Sequence, residues 1–339
     1  MSMRMFEALP TYLGGKRRLV SSVFKHIPPP SVAPVFADAF LGGGSVSLYA
    51  KARGYSVRCN DIAERSVAVG KALIENDDVR LADQDLLRLF VEAEHSSFCV
   101  DHLAPDVVTP THAAFLDNAV AVSRSTPGPK GWLLRLLCIK YLLGQRPMGN
   151  FGAKTIVHQI AAGDFDEVNP SYLRDAVSRM VLDHPLAVVR RLAAKINGGV
   201  FANGQRHEAH HGDVFDFLRE LKADVVYWDS PYAGTTSYEV ALRPLDEMLA
   251  GHEINPEKSV FSRADSLDSI EELFALSSHI PVWAMSYGGP VIDLRMLMEL
   301  MGKYRRRVHA EAVKYAHLAA LADESNKKKN VELILIGWA

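Results

Sequence analysis

The amino-acid sequence predicts an α/β protein, from the order of apolar runs, a glycine turn and a helical stretch near its start. The runs at 34–40 (PVFADAF) and 55–61 (YSVRCND) have the length and composition of buried strands. Between them, the glycine turn at 42–45 (GGGS) opens a helix-like stretch, 46–53, which Gly54 closes. Strand, turn, helix and strand in this order form a βαβ unit, in which the two strands run parallel.

The second half of the chain adds strands to this sheet. Further strands are predicted at 223–228, 280–286, 306–313 and 331–338, with helical segments at 270–277 and 293–301. A polar loop containing three consecutive lysines joins the last two strands, which favours an antiparallel pair. Residues 75–197 have helical and turn signals but no clear parallel-strand signal. We therefore predict one α/β domain, 1–74 with 198–339, interrupted by a mainly helical insertion, 75–197.

Composition and charge fit an ordinary globular protein with a locally uneven surface. The chain has 339 residues, of which 48% are hydrophobic and 23% charged, so it can bury a sizeable core. The formal net charge of −2 argues against a uniformly basic nucleic-acid-binding coat, but not against a local basic face. Net charge is −8 over 61–120, +6 over 121–200 and +4 over 301–339. For any one segment, a solvated face is the simpler interpretation.

The cysteines and the apolar runs predict a cytoplasmic protein without a membrane span. Cys59, Cys99 and Cys138 lie about forty residues apart without a Cys-x-x-Cys pair, which indicates neither a disulfide framework nor a cysteine-rich zinc site. The best apolar run, 132–143, is shorter than the roughly 20 residues of a membrane span and contains two basic residues. The N-terminus also lacks the core of a signal peptide.

One histidine motif suggests a metal site, but its context argues against one. Residues 207–211 (HEAHH) match H-E-x-x-H, in which a helix places two histidines on one face to bind zinc. Gly204 and Gly212 bracket this short stretch, and turns interrupt helices. A strand or surface segment is therefore predicted there, and no metal is predicted for the protein.

The glycine turn is a candidate cofactor site. At a strand-to-helix junction, glycines let the backbone turn tightly and approach a ligand closely. The turn lacks the G-x-G-x-x-G pattern of dinucleotide sites, and a packing turn remains an alternative. Asp61 ends the next strand about twenty residues later, where a carboxylate can accept both hydroxyls of a ribose. This spacing indicates a nucleoside-bearing cofactor without specifying which one.

The tetrapeptide Asp229-Ser230-Pro231-Tyr232 is a candidate catalytic motif, because it follows a predicted strand at the ligand-binding edge of the sheet. An exocyclic base amine is a weak nucleophile, since its lone pair is delocalised into the ring. The Asp229 carboxylate and the Ser230 carbonyl could each accept one of its N–H groups and stabilise the charge that develops during attack. Pro231 would fix the backbone, and Tyr232 offers a face for stacking a flipped base. An ordinary strand-ending turn is the alternative.

Taken together, these residues resemble the Dam-like DNA adenine-N6 methyltransferases. The segments that carry the resemblance are YLGGKRRL at 12–19, DAFLGGGS at 38–45, Asn60-Asp61, LGQRPMGNFGAK at 143–154, Gly212-Asp213 and DSPYAGTTSYE at 229–239. They span nearly the whole chain, and the combination is far more specific than any one segment. The family usually has proline where this chain has Ser230, so the resemblance implies an active enzyme with a less rigid catalytic loop.

The resemblance implies a Rossmann-like methyltransferase fold, with a mixed, mostly parallel seven-stranded sheet, helices on both faces and an inserted DNA target-recognition region. It implies methyl transfer from S-adenosylmethionine to the N6 amine of a flipped adenine in double-stranded DNA. It assigns catalysis to Asp229, Ser230, Pro231 and Tyr232. It assigns cofactor contacts to Tyr12, Lys16, Asp38, Phe40, Gly42, Gly44, Asp61, Asp213 and Asp229. It assigns DNA contacts to Arg146, Asn150, Lys154 and Tyr238.

Three alternatives to this function stay open. The first is methylation of another exocyclic amine, on cytosine N4 or an RNA base, because the tetrapeptide recognises local amine geometry. The second is a catalytically inactive nucleic-acid-binding homologue, and the third, a nicotinamide-dependent oxidoreductase, is disfavoured by the missing dinucleotide pattern. We expect a monomer or weak dimer, with a cognate restriction nuclease as a possible partner.

Overall fold

Seven strands form one sheet in the computed structural model, which describes residues 3–11, 15–91, 93–94, 96–146, 151–178, 181–234, 237–263, 265–314 and 331–339. The strands are β1 Val35–Asp38, β2 Ser56–Asp61, β3 Glu208–His211, β4 Val225–Trp228, β5 Val282–Tyr287, β6 Arg307–Lys314 and β7 Val331–Trp338. Their order is β3-β2-β1-β4-β5-β7-β6, in which β1 to β5 are parallel and β7 runs antiparallel to both neighbours. The predicted mixed, mostly parallel seven-stranded sheet is confirmed.

The order of the strands fixes where a ligand can bind. β2 pairs with one side of β1, and β4 pairs with its other side. The direction in which strands are added to the sheet therefore reverses between β1 and β4. In such sheets the crevice at the carboxyl ends of the two strands flanking the reversal is the usual ligand site. The crevice between β1 and β4 is therefore the expected site, and the glycine turn and Asp229 follow these two strands.

The chain divides into two compact units, and the sheet belongs to the unit formed by 12–70, 203–240 and 257–339, here called the sheet unit. Successive side chains of a strand point to opposite faces of the sheet. Helices cover both of these faces. On one face, Trp228 and Trp283 pack with Phe274. On the other face, Phe24 stacks on Phe36 at 5.1 Å between ring centroids. The helices of this unit are α1 Val20–Val23, α2 Ser45–Ala52, α3 Glu64–Val69, α10 Val214–Glu220, α11 Tyr238–Ala241, which extends one residue beyond the unit, α13 Ser266–Leu276 and α14 Leu294–Gly302.

The other unit, here called the helical unit, comprises 1–11, 71–202 and 241–256. Its α-helices are α4 Asp83–Leu87, α5 Pro110–Ser125, α6 Gly128–Gln145, α7 Lys154–Ala162, α8 Pro170–Ser178, α9 Pro185–Asn197 and α12 Arg243–Ala250. Short 3-10 or π turns cover Met3–Ala8, Gly70–Ile74, Arg88–Phe90, Cys99–Leu103 and Phe165–Glu167, and Val260–Ser262 in the sheet unit. α6 is buried along most of its length and packs against α5 and α9. No helix of the described residues is long and apolar enough to cross a membrane.

Apart from boundary shifts at 71–74 and 198–202, the compact units differ from the predicted division at two segments. Residues 1–11 and 241–256 were assigned to the α/β domain, but both group with the helical unit. The first segment is held there because the buried Lys140 ammonium donates to the backbone carbonyls of Glu7 and Leu9 at 2.9 and 2.7 Å. The second segment contributes α12, which packs against α5 and α6. Neither contact has a local sequence signal, since each joins residues more than 100 positions apart.

Candidate active site

Four carboxylates meet at one edge of the sheet because of its strand directions. Asp38 ends β1, Asp61 ends β2 and Asp229 directly follows β4, so all three lie at the carboxyl ends of parallel strands. Glu332 is the second residue of β7, which runs the opposite way, so the start of β7 lies at that same edge. The register confirms this, since Leu333 pairs with Tyr287, the last residue of β5.

A buried ammonium group holds two of these carboxylates together. Lys16 Nζ lies 3.0 Å from Asp229 Oδ1 and 3.0 Å from Glu332 Oε1, and it also lies 2.9 Å from the Tyr232 hydroxyl. The Tyr232 hydroxyl in turn lies 2.8 Å from Asp229 Oδ1 and 2.6 Å from Glu332 Oε1. A phenol carries one proton, so it donates to one of these carboxylates at a time. The four side chains form one hydrogen-bonded cluster, here called the Lys16 cluster.

Burial and charge shift the pKa values of Lys16, Asp229 and Tyr232. Burial alone would lower the pKa of Lys16, but the charges of Asp229 and Glu332 outweigh it and raise that pKa above its ordinary value, so the ammonium stays charged. Burial raises the pKa of Asp229, Lys16 opposes this, and the Glu332 charge adds to it. Burial, followed by the two carboxylate charges, also raises the pKa of Tyr232, so the phenol keeps its proton.

The remaining residues of the tetrapeptide are tightly enclosed. Ser230 is buried, and its hydroxyl has no hydrogen-bond partner within the described residues. The Tyr232 ring packs against Tyr287, with 4.9 Å between centroids. Gly288 and Gly289 also pack against Tyr232, since a Cβ on Gly288 would lie 3.2 Å from its Cε2 and a Cβ on Gly289 only 2.9 Å from its Cβ. The chain around the motif is therefore held in one arrangement.

The glycine turn and Asp61 are joined directly. Gly44 has a left-handed φ of 76° and is the N-cap of α2, a conformation that favours glycine. The Asp61 carboxylate accepts the Gly42 N–H at 2.8 Å through Oδ2 and the Ala63 N–H at 2.9 Å through Oδ1. These bonds aim Asp61 at the turn and leave further lone pairs on each oxygen.

Asp38 is a buried carboxylate with an unused acceptor. Its Oδ2 accepts a hydrogen bond from Ser47 of α2 at 2.7 Å, whereas Oδ1 is buried and has no hydrogen-bond partner within the described residues. Burial, and then the charges of Asp229 and Asp61, raise the pKa of Asp38 to about 8 despite the Ser47 bond. An orphaned carboxylate oxygen in such surroundings suits a cationic ligand, because a positive charge would favour the ionised form.

Two further predicted cofactor residues have structural contacts. Phe40 packs edge-on against Phe261, with 5.1 Å between centroids. Asp213 is the N-cap of α10 and accepts the backbone N–H groups of Phe215 and Asp216 at 2.8 and 3.4 Å. The prediction for Tyr12 lies outside the described residues.

The predicted DNA-binding residues fall in different surroundings. Arg146 is buried, donates to the Thr11 carbonyl at 2.8 Å and lies over the Phe151 ring, so it has a packing role in the helical unit. Lys154 begins α7 with 64% of its side chain exposed and pairs with Asp106. Tyr238 begins α11 and belongs to the sheet unit, where the charges of Lys16, Asp229 and Glu332 all act on it. Asn150 lies outside the described residues. Contact with DNA stays a prediction for all four.

The histidine motif at 207–211 forms a strand rather than a helix, because Glu208–His211 is β3 at the edge of the sheet. His207 accepts the Val57 N–H through Nδ1, which accounts for its burial. One group with the side chains of a metal site does occur among the described residues, at His26, His309 and Glu311. Its carboxylate already pairs with the Lys25 ammonium at 3.0 Å.

Glu332 is the residue of this site that the sequence analysis missed. The only local signal was a single acid in an otherwise apolar strand, VELILIGW. A charged residue in a buried strand requires a partner, so its presence could have prompted a search for a cation. The partner itself could not be identified, because Lys16 lies more than 300 positions away in sequence.

Comparisons with known proteins agree with this arrangement. The model of the D12 class N6 adenine-specific DNA methyltransferase family matches residues 12–98, which include Lys16, Asp38, the glycine turn and Asp61. The chain is also similar to the type II methyltransferase M2.HphI of Haemophilus parahaemolyticus, with 26% identity over 330 residues that cover 96% of each chain. That second similarity extends over nearly the whole sequence.

Replacing the buried ammonium should destabilise the fold. We expect Lys16→Met to lower the free energy of unfolding by about 3–5 kcal/mol, because it leaves buried carboxylates without their cation. The loss should be largest near pH 8 and smaller near pH 5, since Asp229, with its pKa already raised, can then take up a proton. Urea unfolding at both pH values measures this.

The control for this measurement is Lys25→Met, which removes an exposed lysine that also pairs with a glutamate. Solvent screens that pair, so unfolding should change little. A Lys16→Met protein as stable as the wild type at pH 8 would contradict the role of the ammonium.

Proposed function

We propose that this chain, which belongs to the D12 class N6 adenine-specific DNA methyltransferase family and uses S-adenosylmethionine, methylates a flipped adenine through Asp229, Ser230, Pro231 and Tyr232. One observation carries the assignment of these residues. The Asp229 carboxylate lies at the carboxyl edge of β4, next to the strand that leads into the glycine turn, and a buried lysine and a tyrosine hold it there.

The hydrogen bonds to Asp229 support its role as an acceptor for the adenine amine. Lys16 and Tyr232 both contact Oδ1 of this carboxylate. The side chain is 20% exposed, so a ligand can reach it. Oδ2 would accept one N–H of the amine and the Ser230 carbonyl the other, which stabilises the positive charge that develops on nitrogen during attack. The extra proton on the nitrogen would pass to Asp229 Oδ2, which accepts that N–H, and from there to solvent.

Tyr232 would bind the flipped base. A flipped base needs an aromatic surface, and stacking of this kind is worth about 1–3 kcal/mol per base. The hydroxyl of Tyr232 is anchored in the Lys16 cluster and its ring packs on Tyr287, so the ring is already oriented before a base arrives. A ring that is already ordered loses less entropy on binding.

The residues at this edge also fit the cofactor. S-adenosylmethionine supplies an electrophilic methyl group on a sulfonium and carries a further positive charge on its ammonium. Asp38 offers a buried, unpartnered oxygen that would bind the ammonium. Asp61, fixed by the glycine turn, would accept the ribose hydroxyls, with Gly42 and Gly44 shaping the turn. We propose that Lys16, predicted as a cofactor contact, acts mainly by holding Asp229.

For DNA binding, we propose the helical unit as the target-recognition region, with double-stranded DNA as substrate. The segment 121–200, all of which belongs to this unit, carries a net charge of +6. Lys154 is an exposed cation within it and Arg146 would stabilise the surrounding fold. A cognate restriction nuclease is proposed because the relative M2.HphI is a type II methyltransferase. The buried, unpaired cysteines favour a reducing cytoplasm.

The central experiment replaces Asp229. We expect Asp229→Ala to lower the methyl-transfer rate by about 100-fold or more, because it removes an acceptor that acts as charge develops. Cofactor binding and the fold should survive, since Glu332 still pairs with Lys16. The measurement is single-turnover transfer from labelled S-adenosylmethionine to DNA, followed by nucleoside analysis.

The control for that variant is Asp216→Asn, an exposed aspartate on α10, which should transfer methyl groups at the wild-type rate. Wild-type activity in Asp229→Ala would refute the proposed catalytic role. Nucleoside analysis also tests the alternative substrate, because N4-methylcytosine in place of N6-methyladenine would show a different target amine.

Cofactor affinity should depend on pH through Asp38. With its pKa raised to about 8, Asp38 is mostly protonated at pH 7 and loses the proton when the ligand ammonium binds. Affinity should therefore rise with pH, by at most about tenfold per unit, and level off above about pH 8. Calorimetry in buffers of different ionisation enthalpy should detect release of nearly one proton at pH 7.

Asp38→Asn should bind the cofactor more weakly and without this pH dependence. Asp216→Asn again serves as the control and should keep the wild-type profile. Binding by the wild type that releases no proton and does not change between pH 6 and 8 would exclude Asp38 as the ammonium partner.

Lys154 and Asp106 form an ion pair at the surface, and replacing each of them should change DNA affinity in opposite directions. Lys154→Ala should weaken binding and reduce the slope of log affinity against log salt by about 1, if one phosphate contact is lost. Asp106→Ala should strengthen binding, because it releases Lys154 and removes a negative charge. Fluorescence anisotropy over a salt series measures both, and identical slopes in the two variants would place Lys154 away from DNA.

A further inference from the structure

Glu332 is a fully buried charge at the start of an otherwise apolar strand. Its side chain is 1% exposed, and the rest of β7 is mainly apolar. Burying a carboxylate is costly unless it is paired and hydrogen-bonded, so a glutamate is not kept there for hydrophobic packing. One oxygen of this carboxylate, Oε1, contacts both the Lys16 ammonium and the Tyr232 hydroxyl.

We propose that Glu332 is a positioning residue for methyl transfer, which fixes the Tyr232 ring and the Lys16 ammonium against the catalytic aspartate. The inference rests on the proposed function of Asp229 and Tyr232. Glu332 itself would touch neither the base nor the cofactor, so it is not a catalytic residue. Its effect would pass through the groups that do.

The geometry supports this role because Glu332 and Asp229 share the same two partners. Lys16 Nζ lies 3.0 Å from an oxygen of each carboxylate, and the Tyr232 hydroxyl lies within 2.8 Å of both. The ammonium and the phenol are therefore held between two acceptors. Glu332 supplies a second acceptor for each of these groups, so its loss should loosen the orientation of the ring.

Two glycines after β5 complete the arrangement. A Cβ on Gly288 would lie 2.6 Å from Glu332 Oε2 and 3.2 Å from Tyr232 Cε2, both closer than ordinary contacts. A Cβ on Gly289 would lie 2.9 Å from Tyr232 Cβ. The backbone of this glycine pair thus packs directly against Glu332 and Tyr232. Only residues without side chains leave room for the carboxylate at this position.

Glu332 also affects the charge state of the catalytic group. Burial raises the pKa of Asp229, and the nearby Glu332 charge raises it further, whereas Lys16 and the Tyr232 hydroxyl lower it. Asp38 lies close enough for its charge to interact with Asp229, and Tyr227 and Tyr238 are also within electrostatic range. Removing the Glu332 charge should lower the pKa of Asp229, so transfer should persist to lower pH than in the wild type.

The test uses the full-length enzyme with Glu332→Gln, which preserves shape and a carbonyl oxygen for Tyr232 but removes the charge. We expect kcat to fall about 10- to 100-fold, as for a misplaced reacting group, with a smaller change in the KM for S-adenosylmethionine. The decline of kcat at low pH, here called the acid limb, should move to lower pH. Glu311→Gln, on the same β6–β7 hairpin and also paired with a lysine, should change neither quantity.

Gly288→Ala gives a second test that keeps every charge. The added methyl group should displace the Glu332 carboxylate, so kcat should fall while the acid limb moves less than in Glu332→Gln. Wild-type kcat and an unmoved acid limb in folded Glu332→Gln, or wild-type kcat in Gly288→Ala, would overturn the proposal. If the proposed function itself is wrong, Asp229→Ala will keep full activity, and this outcome is distinct from a failure of the Glu332 proposal.

Discussion

The Lys16 ammonium is the interaction on which this edge of the sheet depends. It is buried with two carboxylates and a phenol within 3.0 Å, and the four groups come from three different parts of the chain. Lys16 precedes α1, Asp229 and Tyr232 follow β4, and Glu332 is the second residue of β7. Without a cation between them, the carboxylates would repel each other in a poorly solvated place. The sheet brings these segments to one edge, and the ammonium allows them to stay there.

Among the described residues, this edge of the sheet carries more carboxylates than cations, which suits a positively charged ligand. Asp38, Asp61, Asp229 and Glu332 lie at this edge, where Lys16 supplies a buried ammonium, and burial raises the pKa values of both Asp38 and Asp229. A cofactor with a sulfonium and an ammonium would reduce that excess on binding.

The sequence predicted local features of this site better than its contacts. The strand, glycine turn, helix and strand at 34–61 follow from short-range periodicity, and Asp229 could be placed at the sheet edge because it ends an apolar run. Glu332 and the partners of Lys16 could not be found in this way, because they meet only after β7 pairs with β5. Arg146 shows a second limit, since its motif gave no sign that the fold buries its side chain, and its contact with DNA stays a prediction. Burial of an arginine depends on tertiary packing, which periodicity does not report.

The most direct test of this account is a double-mutant cycle between Lys16→Met and Glu332→Gln, measured by the free energy of unfolding near pH 8. Each residue contacts the other, so their effects should not add. The second substitution should relieve part of the damage of the first, because it neutralises a carboxylate that has lost its cation. The account predicts that the double variant is more stable than the sum of the single losses implies, by about 1–3 kcal/mol. Additive losses would contradict a shared buried cluster.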